Sequence, residues 1–152
     1  MTDIRIEREF SVSAERLFAA VTQRADAVLW WGPEGFRVTD DQLNMTTTGP
    51  WFVHMISPEG KNYKVSGHVT HVDAPRSIGF TWAWHDAETD KRGEESHVTM
   101  SVIETMTGAR LIIEHRDLGD NETGTGHERG WASTLASLAK FLNQNDLSKE
   151  KI

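Results

Sequence analysis

Apolar and polar residues alternate along most of this chain, which is the pattern of β-strands with one buried face. The first alternating segment contains Ile4, Ile6 and Phe10, separated by charged residues. After a helical region, the same alternation predicts six further strands, at residues 36–45, 51–56, 61–72, 78–84, 97–104 and 109–116. The chain is therefore predicted to form about seven strands.

The joins between these strands carry the glycine and proline residues that tight turns require. They are Gly49-Pro50 and the segments 57–60, 73–76 and 105–108. Joins this short connect neighbouring antiparallel strands, so the pattern predicts a meander of hairpins. The join at 85–96 is longer and charged, and we interpret it as a solvated hairpin tip.

Two short helices are predicted between the first two strands. Ser13 is placed to cap a helix over residues 14–21, whose apolar side chains point one way. A second helical turn covers residues 26–30. The segment 31–35 then ends this turn, because its proline and its glycines do not favour a helix.

The longest helical pattern lies near the C-terminus. Its apolar and histidine positions recur at steps of three and four residues and share one face: His127, Trp131, Leu135, Leu138 and Leu142. Thr125 and Glu128 have the spacing of a capping box, so we predict a helix over 125–142 with this face buried. Gly126 and Gly130 in its first turns are interpreted as permitting close approach to another backbone.

This order of elements, one strand, two short helices, six strands and one long helix, predicts an α+β fold. A sheet of about seven antiparallel strands curves by its own twist and is predicted to grip the C-terminal helix. Residues 1–152 have room for one domain, with a core over about 4–144 and a C-terminal tail at 145–152. Any space left between sheet and helix would form a cavity.

The residues that would line this cavity are the inward positions of the strands, which are two residues apart, and the buried face of the C-terminal helix. Together with one residue after the second helix, they are Trp31, Trp51, Val53, Met55, Phe80, Trp82, Trp84, Met100, Ile113, His115, His127, Trp131 and Leu135. Core packing is the simpler interpretation of this set. The alternative is that the rings line a cavity that accepts an apolar or aromatic ligand.

Composition and charge narrow the classes of function. The formal net charge of -7, without a cluster of Lys or Arg, disfavours binding of nucleic acid or of an anionic membrane. The absence of cysteine excludes disulfides, thiolate nucleophiles and cysteine-ligated metals. No run of about eighteen apolar residues and no apolar leader occur, so we expect no membrane insertion and a cytoplasmic location.

Candidate catalytic groups are few. Of the seven histidines, His68 and His71 lie three apart on a strand and face opposite sides, so no metal site is predicted. No phosphate-binding loop, nucleophile elbow or pair of catalytic carboxylates is visible, so no cofactor and no catalytic residue is assigned. Serine and threonine are plentiful, but no local sequence signature of a catalytic triad is present. A triad whose members come together only in the folded protein would leave no such signature. His115 and His127 face inward and could bind a ligand, move a proton or simply pack.

Several segments occur in the order seen in a known family: Trp30-Trp31-Gly32-Pro33, Gly67-His68-Val69 followed by Pro75, Phe80-Thr81-Trp82, Leu111-Ile112-Ile113-Glu114-His115 and His127-Glu128-Arg129-Gly130-Trp131. Through them the chain, over about residues 6–142, resembles bacterial proteins of the Hsp90-ATPase-activator-homologue type in the START-like, Bet v 1-like (SRPBCC) superfamily. The resemblance implies a helix-grip fold with a hydrophobic cavity. The chain departs from the family where Thr48-Gly49-Pro50-Trp51 replaces a Gly-Gly pair before the aromatic residue.

Three functions remain open from the sequence. The first is binding of a small hydrophobic or aromatic molecule in the cavity between sheet and helix. The second, suggested by the polyketide cyclases of the same superfamily, is a cyclase-, aromatase- or hydrolase-like reaction in which His115, His127 or Glu114 moves a proton. The third, suggested only by the family name, is interaction with a chaperone. A homodimer is also left open.

Overall fold

The computed structural model describes residues 2–32, 34–86, 88–118 and 123–150, and the side chains of 4–32, 34–86, 88–116 and 129–143. Its elements are β1 (Thr2–Phe10), α1 (Ala14–Thr22), α2 (Arg24–Trp30), β2 (Arg37–Gln42), β3 (Gly49–Ile56), β4 (Asn62–Asp73), β5 (Ser77–Trp84), β6 (Ser96–Glu104), β7 (Ala109–Leu118) and α3 (Thr123–Glu150). The predicted α+β fold, with two short helices after the first strand and a long C-terminal helix, is confirmed.

The strands form one seven-stranded sheet in the order β1-β7-β6-β5-β4-β3-β2, and every neighbouring pair is antiparallel. Strands β2 to β7 therefore form the predicted meander. The first strand pairs with the last, so that Ile6 lies opposite Ile113. The helices α1 and α2 carry the chain from one edge of the sheet to the other.

One face of the sheet carries the core, as strand parity predicts. The inward residues of β3, β5, β6 and β7 are buried: Trp51, Val53, Met55, Ile78, Phe80, Trp82, Val98, Met100, Val102, Leu111, Ile113 and His115. The stripe of α3 joins the same core through Trp131, Leu135, Leu138 and Leu142. At about 2 kcal/mol for each fully buried large side chain, this stripe contributes a free energy comparable with the net stability of a domain.

The two short helices are fixed by hydrogen bonds at their ends and between them. Ser13 caps α1 as predicted, because its hydroxyl accepts a hydrogen bond from the backbone N–H of Arg16 at 3.1 Å. The buried indole of Trp30 donates to the carbonyl of Ala20 at 2.8 Å and so joins α2 to α1. Helix α2 begins at Arg24, slightly before the predicted start at residue 26.

Strand β2 ends at Gln42 and not at the predicted residue 45. Beyond it, the carboxylate of Asp41 accepts a hydrogen bond from the N–H of Leu43, and the N–H of Met45 donates to the carbonyl of Thr22 at the end of α1. These bonds take the chain out of the sheet while Leu43 and Met45 remain buried. The apolar alternation therefore continues past the point where the backbone changes partners.

Helix α3 is longer than predicted, since it spans Thr123–Glu150 and not 125–142. The predicted tail at 145–152 is helical to position 150, because no glycine or proline follows Leu142 to stop the helix. The side chains of the predicted capping box, Thr125 and Glu128, lie outside the described residues. No helix in the described part of the chain is long and apolar enough to cross a membrane.

The predicted close approach of the first turns of α3 to another backbone is wrong at Gly130. A Cβ atom built there would meet no other atom within 4 Å, so this glycine faces open space. Gly126 falls outside the residues whose surroundings the structure describes.

Candidate functional site

Five aromatic rings meet between the sheet and α3. They are Trp31 after α2, Trp51 of β3, Phe80 and Trp82 of β5, and Trp131 of α3, and all five are buried. The centroids of neighbouring rings lie 5.3 to 6.5 Å apart. Ring pairs at such distances add roughly 0.5–1.5 kcal/mol each beyond the burial of their surface. The rings of this aromatic cluster pack against one another within the hydrophobic core.

The place of Trp51 in the aromatic cluster depends on a glycine in the neighbouring strand. Trp51 lies opposite Gly67, and its indole N–H reaches past β4 to donate to the carbonyl oxygen of Thr81 in β5 at 3.0 Å. A Cβ atom at Gly67 would lie 2.0 Å from that oxygen, which is too close for any side chain. The absence of a side chain here lets a buried indole find its hydrogen-bond partner.

A chain of hydrogen bonds joins the aromatic cluster to the sheet through His115, which is fully buried. The indole N–H of Trp131 donates to His115 Nδ1 at 3.0 Å, and Ser96 Oγ lies 2.6 Å from His115 Nε2. Because an indole nitrogen can only donate, Nδ1 is the acceptor and Nε2 carries the proton toward Ser96. The Ser96 hydroxyl in turn donates to the carbonyl of Trp82 at 3.3 Å.

This arrangement gives His115 a structural role. Both of its ring nitrogens form hydrogen bonds inside the core, and a protonated ring would direct an N–H at the indole N–H of Trp131. His115 therefore fixes α3 against β7 and is poorly placed to exchange a proton with a substrate. Glu114 has the opposite strand parity and faces away from the core. The side chain of the third candidate, His127, lies outside the described residues.

A row of partly buried aromatic residues continues the aromatic cluster toward solvent. It consists of Phe36, Tyr63 and Trp84, and we call it the aromatic rim. The ring centroids of Phe36 and Tyr63 are 5.6 Å apart, and those of Tyr63 and Trp84 are 6.2 Å apart. Trp84 also lies edge-on to Trp82 of the cluster at 5.4 Å. The rim is therefore one continuous aromatic surface with the packed interior behind it.

Two of the three rim residues are absent from the predicted pocket. Tyr63 has the inward parity of its buried neighbour Val65, so the signal for it was present in the alternation of β4. Phe36 lies just before β2, although the alternation includes it as the first residue of the strand predicted over 36–45.

The loop that carries Trp31 and Phe36 is tied to α3. The backbone N–H of Glu34 donates to Ser133 Oγ at 2.8 Å, and Lys140 Nζ lies 2.5 Å from the Glu34 carboxylate. These two contacts hold one side of the aromatic rim to the helix that the sheet grips. The exposed ion pair adds little stability of its own, so the buried ends of the loop carry most of the packing.

The remaining predicted pocket residues contribute apolar packing. They are Val53, Met55, Met100, Ile113 and Leu135, and all are buried in the same core. Within the described residues, no group of three or more His, Asp or Glu side chains is placed to hold a metal ion.

Comparison with known proteins gives the family. The model of the family described as "Activator of Hsp90 ATPase homolog 1-like protein" matches residues 11–143. The chain belongs to this AHSA1-like family. Its fold matches the crystal structure of the AHSA1 protein from Silicibacter pomeroyi with a TM-score of 0.89 and 52% identity, over 94% of this chain and 99% of that chain.

More distant solved structures share the fold. A protein from Chromobacterium violaceum is 20% identical, with a TM-score of 0.78 over 92% of this chain and 96% of its own. A protein from Nitrosomonas europaea is 18% identical, with a TM-score of 0.78 over 96% of this chain and 97% of its own. At these identities the likeness is one of fold. A search of curated proteins finds no match.

The AHSA1-like assignment confirms the resemblance found in the sequence, and the structure explains why those segments stand out. Trp31 and Trp82 supply rings to the aromatic cluster. Gly67 leaves room for the indole that crosses β4, and His115 accepts the hydrogen bond from Trp131. Several residues that carry the resemblance thus build the aromatic cluster, and His115 also holds Trp131 of the long helix.

Proposed function

We propose that this AHSA1-like domain binds a small apolar molecule with a flat, aromatic face at the aromatic rim. The observation that carries the proposal is that Phe36, Tyr63 and Trp84 remain partly exposed in one contiguous row, while the rings behind them are packed. Partly exposed rings in mutual contact offer π-faces and edges to a ligand. Burying their exposed area would favour binding by roughly 25 cal/mol per Å² of apolar surface.

The aromatic cluster limits how deep the ligand lies. Because Trp82 contacts the rings of Trp31, Trp51 and Trp131, the proposed ligand rests on the rim and does not enter between these rings. The phenol of Tyr63 adds one hydroxyl that can donate or accept a hydrogen bond at the edge of the ligand. A flat molecule with one polar substituent fits this combination best.

Binding is better supported than catalysis in the interior. A proton-transfer group must reach the substrate, and the ring nitrogens of His115 form hydrogen bonds with Trp131 and Ser96 inside the core. The second possibility, contact with a chaperone, is suggested by the family description alone. A binding assay with purified Hsp90 tests it separately.

A tryptophan-fluorescence titration with a flavonoid probe tests the proposal. Tyr63→Leu and Trp84→Leu each remove a rim ring, and Phe52→Leu is the matched control because it removes a partly buried ring from the opposite face of the sheet. We expect each rim variant to weaken probe binding about tenfold, or about 1.4 kcal/mol, and the control to change it less than about twofold. Equal weakening in all three variants, or unchanged binding in the double rim variant, would contradict the proposal.

A further inference from the structure

The outer face of the sheet, opposite the aromatic cluster, holds a serine, a histidine and an aspartate in one hydrogen-bonded chain. Ser66 Oγ of β4 lies 2.6 Å from Nε2 of His85, which directly follows β5. His85 Nδ1 lies 2.8 Å from Oδ1 of Asp90 in the hairpin tip, and 3.0 Å from the carbonyl oxygen of the same residue. Both distances are within the reach that nucleophile, base and orienting carboxylate require.

The neighbouring charges fix the direction of the protons in this chain. The hydrogen bond from His85 and then the ammonium of Lys64 lower the pKa of Asp90, so its carboxylate is an acceptor near neutral pH. His85 Nδ1 must therefore carry the proton, which leaves Nε2 of the neutral ring as an acceptor. Arg92 Nε donates to Ser66 Oγ at 3.0 Å, and the serine's own hydrogen is then directed to His85. This is the tautomer that a general base needs.

The hairpin tip is folded so that Asp90 turns back toward the strands. Asp90 has a φ of 60°, an uncommon conformation for a residue other than glycine, and its N–H donates to the carbonyl of Asp86 at 2.9 Å. The Asp86 carboxylate accepts hydrogen bonds from the N–H groups of Glu88 and Thr89 at 2.9 and 3.0 Å. In the hairpin tip predicted from the sequence, these bonds place the carboxylate of Asp90 at His85.

An open cleft of about 290 Å³ lies beside Ser66. Pro50 and Phe52 supply its apolar side, while Lys64, His68 and Arg92 supply the polar side. The guanidinium of Arg92, already at the serine oxygen, is the group that could stabilise negative charge developing on a bound carbonyl. The cleft is large enough for a short acyl group and a small alcohol.

We propose that Ser66 is a nucleophile toward small acyl esters, with His85 as its general base and Asp90 as the carboxylate that orients His85. Ser66 Oγ attacks the carbonyl carbon while its proton passes to His85 Nε2. The bond from the carbonyl carbon to the alcohol oxygen then breaks, and that proton moves to the departing oxygen. Water attacks the acyl-serine with His85 as base, the proton returns to Ser66 Oγ, and the carboxylic acid is released. The net reaction consumes one ester and one water and needs no oxidant or metal.

The same face of the sheet offers an internal control. Ser77 Oγ lies 3.2 Å from Nε2 of His71, so it is also paired with a histidine. Among the described residues, however, no carboxylate is hydrogen-bonded to Nδ1 of His71. The two pairs therefore differ in the third member that the proposed mechanism requires.

Hydrolysis of p-nitrophenyl acetate and labelling with a fluorophosphonate probe, read by peptide mass spectrometry, test the proposal. The protein should be labelled at Ser66 and not at Ser77. Ser66→Ala and His85→Gln should reduce hydrolysis at least about tenfold, Asp90→Asn should reduce it less, and Ser77→Ala should leave it unchanged. Equal labelling of Ser66 and Ser77, or hydrolysis unaffected by Ser66→Ala, would overturn the proposal. Neither outcome bears on the aromatic rim, which lies on the other face of the sheet.

A thiol variant separates a reactive pair from a merely structural one. The chain has no cysteine, so Ser66→Cys or Ser77→Cys introduces the only thiol, the group with which iodoacetamide reacts fastest. Ordinary thiols have a pKa of about 8.5. Beside an oriented His85, the pH profile of alkylation of Ser66→Cys should have its midpoint at least about one pH unit lower, whereas the midpoint for Ser77→Cys should stay near that value. Two profiles with the same midpoint would show that Asp90 and His85 do not activate position 66.

Discussion

Nε1 of Trp131 and Nδ1 of His115 lie 3.0 Å apart, and both side chains are buried between α3 and β7. An apolar stripe alone would tolerate small shifts of the helix, because burial has no direction. A buried hydrogen-bond donor and acceptor meet in only one position of the helix on the sheet. Leaving either group buried without its partner costs folding free energy. This pair therefore sets the register in which the long helix docks on the sheet.

Substitutions of Trp131 separate the contribution of its volume from that of its hydrogen bond. We predict that Trp131→Ala lowers the free energy of unfolding by roughly 3–5 kcal/mol, because the surrounding rings cannot collapse into the space of an indole. Trp131→Phe keeps much of the volume but removes the donor to His115, and should cost about 1–3 kcal/mol. Urea denaturation measures both. A loss below about 1 kcal/mol for Trp131→Ala would contradict this docking of α3.

The fold was predictable where one period persisted along an element. The alternation of β5 placed Phe80 and Trp82 inward, and the helical steps placed Trp131 opposite them. The end of a strand was predicted wrongly where the backbone changed its hydrogen-bond partner while the apolar alternation continued. Beyond Gln42 the chain leaves the sheet and the N–H of Met45 bonds to the carbonyl of Thr22, while Met45 stays buried as it would in a strand.

The candidate sites were less predictable than the fold, because their members come from separate elements. The aromatic rim needs Phe36, which arrives through a turn. The hydrogen-bonded triad on the outer face of the sheet consists of Ser66, His85 and Asp90. Only strand pairing and the folded hairpin tip bring these three residues together. Strand pairing across a sheet leaves no local motif in the sequence, so residue spacing alone could not indicate this triad.

Two glycines make a matched pair for testing close packing. We predict that Gly67→Ala destabilises the fold by more than about 3 kcal/mol, since its Cβ atom must displace the Thr81 carbonyl and with it the acceptor of the buried Trp51 indole. Gly130→Ala lies in a helix and meets open space, so it should stabilise by about 1 kcal/mol. Thermal and urea unfolding provide the comparison. Similar effects for the two substitutions would contradict the close approach at Gly67.

The contact of the loop after α2 with α3 predicts local protection at one amide. The N–H of Glu34 donates to Ser133 Oγ, so Ser133→Ala should speed hydrogen exchange at Glu34 about fivefold, the factor for a hydrogen bond of about 1 kcal/mol. Ser137→Ala, one turn further along the same helix, is the control and should leave the rate unchanged. Exchange measured by NMR that is equally fast in all three proteins would show that the loop is not held by Ser133.

The hairpin tip predicts a pH dependence with a definite sign. The pKa of Asp90 is lowered first by the hydrogen bond from His85 and then by Lys64. A carboxyl whose folded pKa lies below its unfolded value stabilises the fold fully above about pH 4, and this contribution is lost as the pH falls through the lowered folded value. Because the carboxyl of Asp90 is exposed, the effect should be local to the tip.

We therefore predict that His85→Gln raises the pKa of Asp90 toward its ordinary value, since the main cause of the lowering is removed. Asp86 is the internal control: backbone N–H groups of Thr89 and Glu88 lower its pKa, and they do not depend on the histidine ring. Carboxyl ¹³C chemical shifts followed from pH 7 to about pH 2 report both groups in one titration. If Asp90 and Asp86 shift together in His85→Gln, the whole tip has rearranged, and the direct bond between His85 and Asp90 is not what holds the carboxylate ionised.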